Sequence, residues 1–228
     1  MDWILIVAVL VLSGALFRDT LKRIPVWKGA PLALAEPVSD LRRAHGLNLA
    51  ASVSDFSGER WRRHKLSATS NRAVAPDGTR SATRLGERIA IGVRRIETAL
   101  AGTVPGEPAT LSIFVKPDGR AAIQIELRDD GAGASGAVRF DFLQRGLIAQ
   151  VGDIADAGLQ ALPDGWFRCW AAMPFETDRA AFSLTLLNAH RKRRYVGNGH
   201  SGLFIWGMQF ERGGTISGYF GSGEAGEG

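Results

Sequence analysis

The stretch that decides the fold class is ATLSIFVKPDGRAAIQIELR, residues 109–128. Its second half alternates apolar side chains with polar ones: Ile123, Ile125 and Leu127 against Gln124, Glu126 and Arg128. Successive side chains of a β-strand point to opposite faces, so this alternation predicts a strand with one buried and one outer face. The two halves are joined by Pro117-Asp118-Gly119, in which proline presets φ and glycine permits a positive φ.

Similar apolar-alternating runs recur along the chain with turn residues between them. The predicted strands are Leu66–Val74, Ser81–Leu85, Arg88–Glu97, Ala109–Lys116, Arg120–Arg128, Ala137–Phe142, Leu147–Val151, Trp166–Met173, Ala181–Asn188 and Leu203–Glu211. The 28 glycines among 228 residues fit a chain rich in turns. These features predict an all-β fold, an antiparallel β-sandwich of the jelly-roll kind. A helix over Arg84–Leu100 is the weaker alternative.

The overall composition is that of a globular protein, with 45% hydrophobic and 22% charged residues, which excludes wholesale disorder. Cys169 is the single cysteine, so neither an internal disulfide framework nor a thiolate zinc cluster is available. The net charge is +5, and the basic surplus is concentrated in residues 57–100. Such a surplus suggests a polyanionic partner, whether acidic polysaccharide, phospholipid headgroups or nucleic acid. A soluble arginine-rich surface is the alternative.

The N-terminal region begins with an apolar run, Trp3–Phe17, interrupted only by Ser13 and Gly14. Residues 1–23 are therefore predicted to be a hydrophobic helix that anchors the chain in a membrane. A cleaved signal peptide and a buried core helix are the alternatives. The basic residues that follow the run conflict with export under the positive-inside rule, so the side of the membrane on which the domain lies stays open.

The rest of the chain divides into a proline-containing linker over residues 24–47, a β-sandwich over 48–220 and a tail over 221–228. The tail is predicted to be disordered because it consists almost entirely of glycine, serine and glutamate. The chain is thus expected to be a single-pass membrane protein or one exported to the periplasm or cell surface, and a cytoplasm-facing domain stays open.

The alternation also assigns side chains of two later strands to faces. In Trp166–Met173, it predicts that Phe167, Cys169, Ala171 and Met173 face the core and that Trp166, Arg168 and Trp170 point outward. In Leu203–Glu211, it predicts that Phe204, Trp206, Met208 and Phe210 share a face and line the core.

The outward side chains suggest a ligand site. If their strands are neighbours, Gln124, Glu126, Arg168 and Trp170 form one polar–aromatic face. Sugar rings stack on tryptophan, while amide, carboxylate and guanidinium groups hydrogen-bond their hydroxyls. The structural alternative is a Trp170 covered by a loop and an Arg168 in an internal ion pair.

Two basic clusters carry an aromatic residue each: Arg60–Lys65, which contains Trp61, and His190–Tyr195. Both are predicted in loops. Guanidinium groups bind carboxylates or sulfates at two points, so an anionic polysaccharide is a coherent target, with Arg194 and Tyr195 as candidate contacts. Phospholipid headgroups are another candidate, and no recognised nucleic-acid motif accompanies these charges. Trp61 is expected to be packed rather than to face a ligand.

Several short motifs resemble carbohydrate-binding-module-like jelly-roll domains (galactose-binding-like), found in phage tail and appendage proteins and in bacterial surface proteins. The matching motifs are Asn48-Leu49, Ser54-Asp55-Phe56-Ser57 with Trp61, Ala75-Pro76-Asp77-Gly78-Thr79 with Ala82–Leu85, Ser112–Lys116, Gly165–Cys169 and Gly199–Gln209 with Glu211. They keep the family's order over residues 48–220. The chain departs from this pattern at both ends. It has the apolar N-terminal run, and the aromatic and proline expected near the C-terminal end survive only as Tyr219-Phe220.

The resemblance implies a non-catalytic module that binds a glycan or docks onto a partner protein, including a second copy of itself. Some members of the family carry a structural calcium ion, for which Asp77, Asp55 and Gln209 would supply oxygen ligands. No other cofactor is implied.

Sequence motifs for catalysis are absent: the chain has no His-Glu-x-x-His, no Gly-x-Ser-x-Gly and no phosphate-binding Gly-Lys-Ser/Thr loop. The leading hypothesis is therefore a membrane-anchored or exported module that binds envelope or extracellular polysaccharide, acidic or neutral, without chemistry. A structural or assembly module of a cell-envelope or phage-like machine is the second hypothesis, and a polysaccharide lyase or glycosidase is the third.

Overall fold

The computed structural model describes residues 55–219. The predicted N-terminal helix, the linker, Asn48-Leu49, Ser54, Phe220 and the tail lie outside these residues. Among the helices of the described part, none is long and apolar enough to cross a membrane.

The described residues form thirteen β-strands. They are β1 Arg62–His64, β2 Leu66–Ala73, β3 Ala82–Glu87, β4 Ile91–Leu100, β5 Glu107–Asp118, β6 Ala122–Asp129, β7 Ala134–Asp141, β8 Gly146–Gly152, β9 Asp156–Ala161, β10 Phe167–Phe175, β11 Ala180–Leu187, β12 Arg194–Val196 and β13 Gly202–Arg212. All ten predicted strands are present, and β1, β9 and β12 are additional. The region proposed as an alternative helix contains β4, so that alternative is wrong.

The strands form two sheets. In the first sheet the order is β1-β4-β11-β6-β7-β8, and β12 also pairs with β4; in the second sheet the order is β2-β3-β13-β5-β10-β9. The registered pairs within both sheets are antiparallel. The predicted all-β, antiparallel sandwich is thus confirmed.

The core lies between the two sheets and takes the alternate side chains of their facing strands. Ile123, Ile125 and Leu127 of β6 are fully buried there, as predicted. From β10 it takes Phe167, Cys169, Ala171 and Met173, also as predicted. Trp61 closes one margin of the core: its ring lies 5.0 Å from that of Phe56 and its Nε1 donates to the Asp55 carbonyl at 2.7 Å.

The prediction for β13 is wrong for Phe204 and Trp206. Met208 and Phe210 lie in the core with Leu203 and Ile205, while Trp206 is buried in a separate cluster that Phe204 packs against. The cause is a β-bulge between Trp206 and Gln209, where Gly207 has φ +58°. A bulge inserts an extra residue and reverses which side chains face the core beyond it.

Candidate functional site

The outer face of the first sheet is predominantly polar across five strands. Thr185 of β11 stands between Arg95 of β4 and Gln124 of β6 in the strand register. The same row continues outward to His64 of β1 and Arg139 of β7. With neighbouring strands about 4.8 Å apart, this row extends over roughly 19 Å.

Short contacts hold the side chains of this row in place. Gln124 accepts a hydrogen bond from Arg139 Nε at 2.9 Å and donates from its Nε2 to Glu126 Oε2 at 3.3 Å. Arg193 reaches the same carboxylate oxygen at 3.9 Å from the loop that precedes β12. The amide and carboxylate predicted from β6 are therefore oriented by arginines on both sides.

The next row of the same face places Ser183 between Glu97 and Glu126. Glu97 Oε1 lies 2.9 Å from His64 Nε2, and Glu97 Oε2 lies 2.9 Å from Arg95 Nη2. Burial alone would raise the pKa of Glu97, but the His64 hydrogen bond and the Arg95 charge outweigh it and hold that pKa below its usual value. Glu97 is therefore an ionised hydrogen-bond acceptor at neutral pH.

Three polar atoms on or beside this face are buried without a hydrogen-bond partner among the described residues: Ser183 Oγ, Arg95 Nε and Arg193 Nε. An unsatisfied buried polar group costs about 1–3 kcal/mol, and native structures contain few of them. Because each of these atoms is itself buried, a ligand on the outer face would not contact it directly.

A surface groove of about 650 Å³ adjoins this face above β4. Its basic side chains are Arg63, His64, Lys65, Arg95, Arg193 and Arg194, and the remaining lining residues are Ile91, Gly92 and Val93. No carboxylate belongs to the lining. This basic groove has the volume of an ordinary ligand site and a strongly positive character.

Strand pairing explains why the two basic clusters meet at this groove. Arg62–His64 pairs with Arg95–Glu97, and Arg194–Val196 pairs with Ile91–Val93 of the same strand. The prediction that both clusters lie in loops is thus wrong for these residues, because each cluster contributes a three-residue strand to β4. The structure brings together charges that are far apart in the sequence.

A buried polar network holds β12 in position. Glu87, with a fully buried side chain, accepts from Arg120 Nε at 3.0 Å, from the Tyr195 hydroxyl at 3.0 Å and from the Asn198 amide at 2.8 Å. Arg94, also fully buried, donates from Nη1 to the Tyr195 carbonyl at 2.7 Å. Tyr195 therefore lies beneath the groove wall as a supporting residue, while its neighbour Arg194 is exposed and lines the groove.

The prediction of a single face containing Gln124, Glu126, Arg168 and Trp170 is wrong. The neighbours of β6 are β11 and β7, whereas those of β10 are β5 and β9. Gln124 and Glu126 therefore lie on the outer face of the first sheet, whereas Arg168 and Trp170 lie on the outer face of the second sheet.

Arg168 is buried on the outer face of the second sheet. Its Nη2 donates to Ser112 Oγ at 2.9 Å and its Nη1 to the Ser217 carbonyl at 2.8 Å. The chain after β13 covers it, and Tyr219 of that segment packs against Phe114 and Trp206. The guanidinium group of Arg168 is thus engaged within the protein.

Trp170 lies further toward the edge of the same sheet and is partly exposed. Its Nε1 donates to Asp156 Oδ2 at 2.9 Å, and its ring covers Gly158 on β9. A Cβ at Gly158 would stand 1.9 Å from the indole, so only glycine lets the ring lie there. Trp170 thus points outward as predicted, and its role in ligand binding stays a prediction.

The candidate calcium ligands use their polar atoms within the protein. Asp77 Oδ1 accepts from Thr79 N and Oγ1 at 2.9 and 2.8 Å, and Gln209 Nε2 donates to Ser217 Oγ at 2.9 Å. Within residues 55–219, no group of three or more His, Cys, Asp or Glu side chains is placed to hold a metal ion. Asp77 and Gln209 thus do not supply the six to eight oxygens that calcium takes, and the calcium stays a prediction.

Sequence reasoning missed several residues of this face: Arg95, Glu97, Arg139, Ser183 and Thr185. Alternation in β4 and β11 could have indicated Arg95, Glu97, Ser183 and Thr185, since each lies two residues from another outward-facing side chain. Alternation could not have shown that β4, β11 and β6 are adjacent in the sheet, because adjacency depends on strand order.

No protein-family model matches the chain. No curated protein matches it. Among solved structures, the enzymatically active domain of tailspike protein 4 from bacteriophage CBA120 is 13% identical with a TM-score of 0.43, over 72% of this chain and 21% of that one. The described fold therefore spans about a fifth of the tailspike chain.

Two further solved structures are carbohydrate-binding modules. A family 61 module in complex with β-1,4-galactotriose is 12% identical, with a TM-score of 0.44, over 72% of this chain and 98% of that one. A CBM22-1 xylan-binding domain from Paenibacillus barcinonensis is 11% identical, with a TM-score of 0.45, over 75% of this chain and 97% of that one. These neighbours are of the classes that the sequence resemblance named, and at such identities the likeness concerns the fold alone.

Proposed function

We propose that this protein is a non-catalytic jelly-roll module that binds acidic polysaccharide of a cell envelope or extracellular matrix. The basic groove would bind the carboxylate or sulfate groups of the polymer. The neighbouring rows of the first sheet would hydrogen-bond its hydroxyl groups.

The observation that supports this most is the composition of the groove. Six basic side chains from β1, β4 and the β12 region line it, with no carboxylate among them. Guanidinium groups bind carboxylates and sulfates through paired, charge-assisted hydrogen bonds. Glu97 already pairs with His64 and Arg95, and Glu126 with Arg193. Arg63, Lys65 and Arg194 form no ion pair among the described residues, so an acidic polymer fits them better than a neutral glycan.

The adjoining rows supply what a sugar chain needs beyond charge. Gln124, Glu126 and Glu97 present oriented amide and carboxylate groups. Sugar hydroxyls both donate and accept hydrogen bonds, so they match this mixture of groups.

Glu97 does not have the properties of a catalytic proton donor. A glycosidase needs one carboxyl group whose pKa is raised so that it can donate a proton. The pKa of Glu97 is lowered instead, by His64 and Arg95 against the effect of burial. Because the sequence also carries none of the catalytic motifs named above, we favour a binding module over a lyase or glycosidase.

Attachment to a membrane is part of the proposal and rests on the apolar run Trp3–Phe17. A module held at a surface, whether anchored there or exported to it, meets a repeating polymer many times. Weak binding at each site would then give stable attachment through multivalency.

The test is affinity electrophoresis of the full chain in mild detergent with polygalacturonate, heparin, xylan and galactan. We expect retardation by the acidic polymers, weakened as salt rises from 0.05 to 0.5 M because the charges are screened (Debye lengths roughly 14 and 4 Å). Arg95→Gln should weaken binding about tenfold, as expected for the loss of a hydrogen bond to a charged group. Arg72→Gln, which changes an exposed arginine of β2, is the matched control.

Absence of retardation by every polymer would contradict the proposal. The assembly module is then the better account, and its signature would be cross-linking of groove residues to a partner protein or to a second copy of the chain.

A further inference from the structure

One end of the first sheet carries residues 88–90 before β4, residues 142–145 between β7 and β8, residues 188–193 before β12, β12 itself and residues 197–200 after it. The register places them together, since Leu186 pairs with Arg94, Val196 with Ile91, and Asp141 with Ala122. We call this surface the basic end. It adjoins the basic groove but uses different side chains.

Aliphatic side chains project from the basic end. The exposed fractions are 78% for Ile89, 77% for Leu143 and 66% for Val196. Ile89 precedes β4, Leu143 lies between β7 and β8, and Val196 ends β12, so the three exposed groups come from separate segments of this end. Together they give this end of the sheet an apolar component spread over several strands.

Cations surround these aliphatic groups. Arg88, Arg145 and Lys192 are exposed, and none of them forms an ion pair with another residue of the range 55–219. The carboxylates nearby are fully buried and already neutralised: Glu87 by Arg120, and Asp141 by Arg191. On the second sheet's side, Asp118 is paired with Arg84 at 2.6 Å. The exposed charge of the basic end is therefore positive.

We propose that the basic end docks onto an anionic lipid bilayer. Ile89, Leu143 and Val196 enter the interfacial region, and Arg88, Arg145 and Lys192 contact lipid phosphate groups. Aliphatic side chains gain by leaving water for the acyl boundary, and cations gain by approaching a negative surface.

The combination of the two kinds of side chain favours lipid over a soluble polyanion. A soluble acidic polymer is bound by cations alone and gives isolated Ile, Leu and Val side chains no apolar medium to enter. A bilayer provides both the negative charge and the apolar layer. The apolar run Trp3–Phe17, predicted independently from the sequence, favours the same partner.

The test uses the full chain reconstituted in vesicles of phosphatidylcholine alone or with about one third phosphatidylglycerol. A polarity-sensitive fluorophore is attached at His190→Cys in the 188–193 connection, while the native Cys169 is buried and stays unlabelled. We expect a blue shift of its emission in the anionic vesicles and not in the neutral ones. A second reporter at Ala132→Cys, in the turn between β6 and β7 at the opposite end, should not shift in either.

Variants separate the two contributions. Neutralising Arg145 and Lys192 to Gln should lower the docking constant about fivefold for each charge. Ile89→Ser together with Leu143→Ser should abolish the shift. Val151→Ser, which removes another aliphatic group with 63% exposure near the opposite end, should leave it unchanged.

Three results would overturn the proposal. The His190→Cys reporter does not shift in anionic vesicles; the Ala132→Cys reporter shifts equally; or soluble heparin gives the same response and the serine variants have no effect. The last result would identify a polyanion site in place of a lipid site. Retardation by polygalacturonate through the groove is measured independently and would survive any of them.

Discussion

Glu87→Gln tests whether the groove wall depends on one buried carboxylate. The side chain of Glu87 is fully buried and that of Arg120 is 14% exposed, with Arg120 Nη2 at 2.5 Å from Glu87 Oε1. The guanidinium of Arg94 lies 3.8 Å from the other oxygen and is fully buried as well. The amide of the variant keeps the shape and removes the charge, leaving two guanidinium groups with no counter-ion in that place. Breaking such a buried pair costs about 3 kcal/mol.

The assay is denaturant unfolding of the full chain in mild detergent, followed by tryptophan fluorescence. Glu107→Gln, at an exposed position in β5, is the matched control and should change the free energy of unfolding by less than about 0.5 kcal/mol. Because the network fixes Tyr195 beneath the groove, the variant should also weaken binding of acidic polymer.

The pH dependence of this difference has a defined sign. Burial raises the pKa of Glu87, but the hydrogen bonds from Arg120 and Asn198 outweigh burial and keep it below the ordinary value of 4.5. The contribution of Glu87 is therefore fully present above pH 4.5 and is lost as the pH falls through the lower folded pKa. A variant as stable as the native protein at pH 7, or a difference that grows on acidification, would refute this reasoning.

Three further predictions concern stability. Ser183→Ala removes an unsatisfied hydroxyl, so it should leave the free energy of unfolding unchanged or raise it by up to about 1 kcal/mol. Ser112→Ala deletes the acceptor of the buried Arg168 guanidinium, so it should lower the free energy of unfolding by about 1–2 kcal/mol. Gly207→Ala should lower the free energy of unfolding by about 1–2 kcal/mol, because φ is +58° and the added Cβ meets aromatic rings at 2.9 and 3.0 Å. Gly214→Ala, whose Cβ makes no contact below 3.7 Å, should lower it less, and thermal unfolding measures both. A threonine hydroxyl and backbone amides outweigh burial and lower the pKa of Asp129 from 3.8 to about 2. Asp129→Ala should therefore lower the free energy of unfolding by about 2 kcal/mol at pH 7, and this loss should shrink as the pH falls toward 2 in urea titrations.

The strands that could be predicted are those whose sequence alternates strongly. β6 and β10 have a continuous set of apolar side chains on one face, and both were assigned correctly, including the outward direction of Trp170. β9, with the sequence Asp-Ala-Gly-Leu-Gln-Ala, has no such pattern and forms by pairing with the edge of β10. Its strand character comes from tertiary pairing, which a local pattern does not carry.

The bulge in β13 shows a second limit. Alternation assigns faces on the assumption that every residue advances the phase by one step. At Gly207 an extra residue enters, so Trp206 and Phe210, although an even number of positions apart, lie on different faces. A glycine within an aromatic-rich strand was the one local signal of this change.

The site depended on strand order more than on strand identity. The residues of β6 and both basic clusters were found in the sequence, but which of them meet was not. Gln124 and Glu126 lie near the arginines of β4 and the β12 region because only one strand, β11, stands between β4 and β6 in the sheet. Trp170 belongs to the other sheet for the same reason, so the sequence identified suitable groups and paired them wrongly.

The most direct measurement is hydrogen–deuterium exchange of the full chain with and without polygalacturonate. The account predicts slower exchange in residues 62–65, 91–97 and 193–196, where the two basic clusters flank β4, and in the neighbouring Ser183 and Thr185 of β11. Protection confined to β9 and β10 around Trp170, or no protection anywhere in residues 55–219, would contradict it.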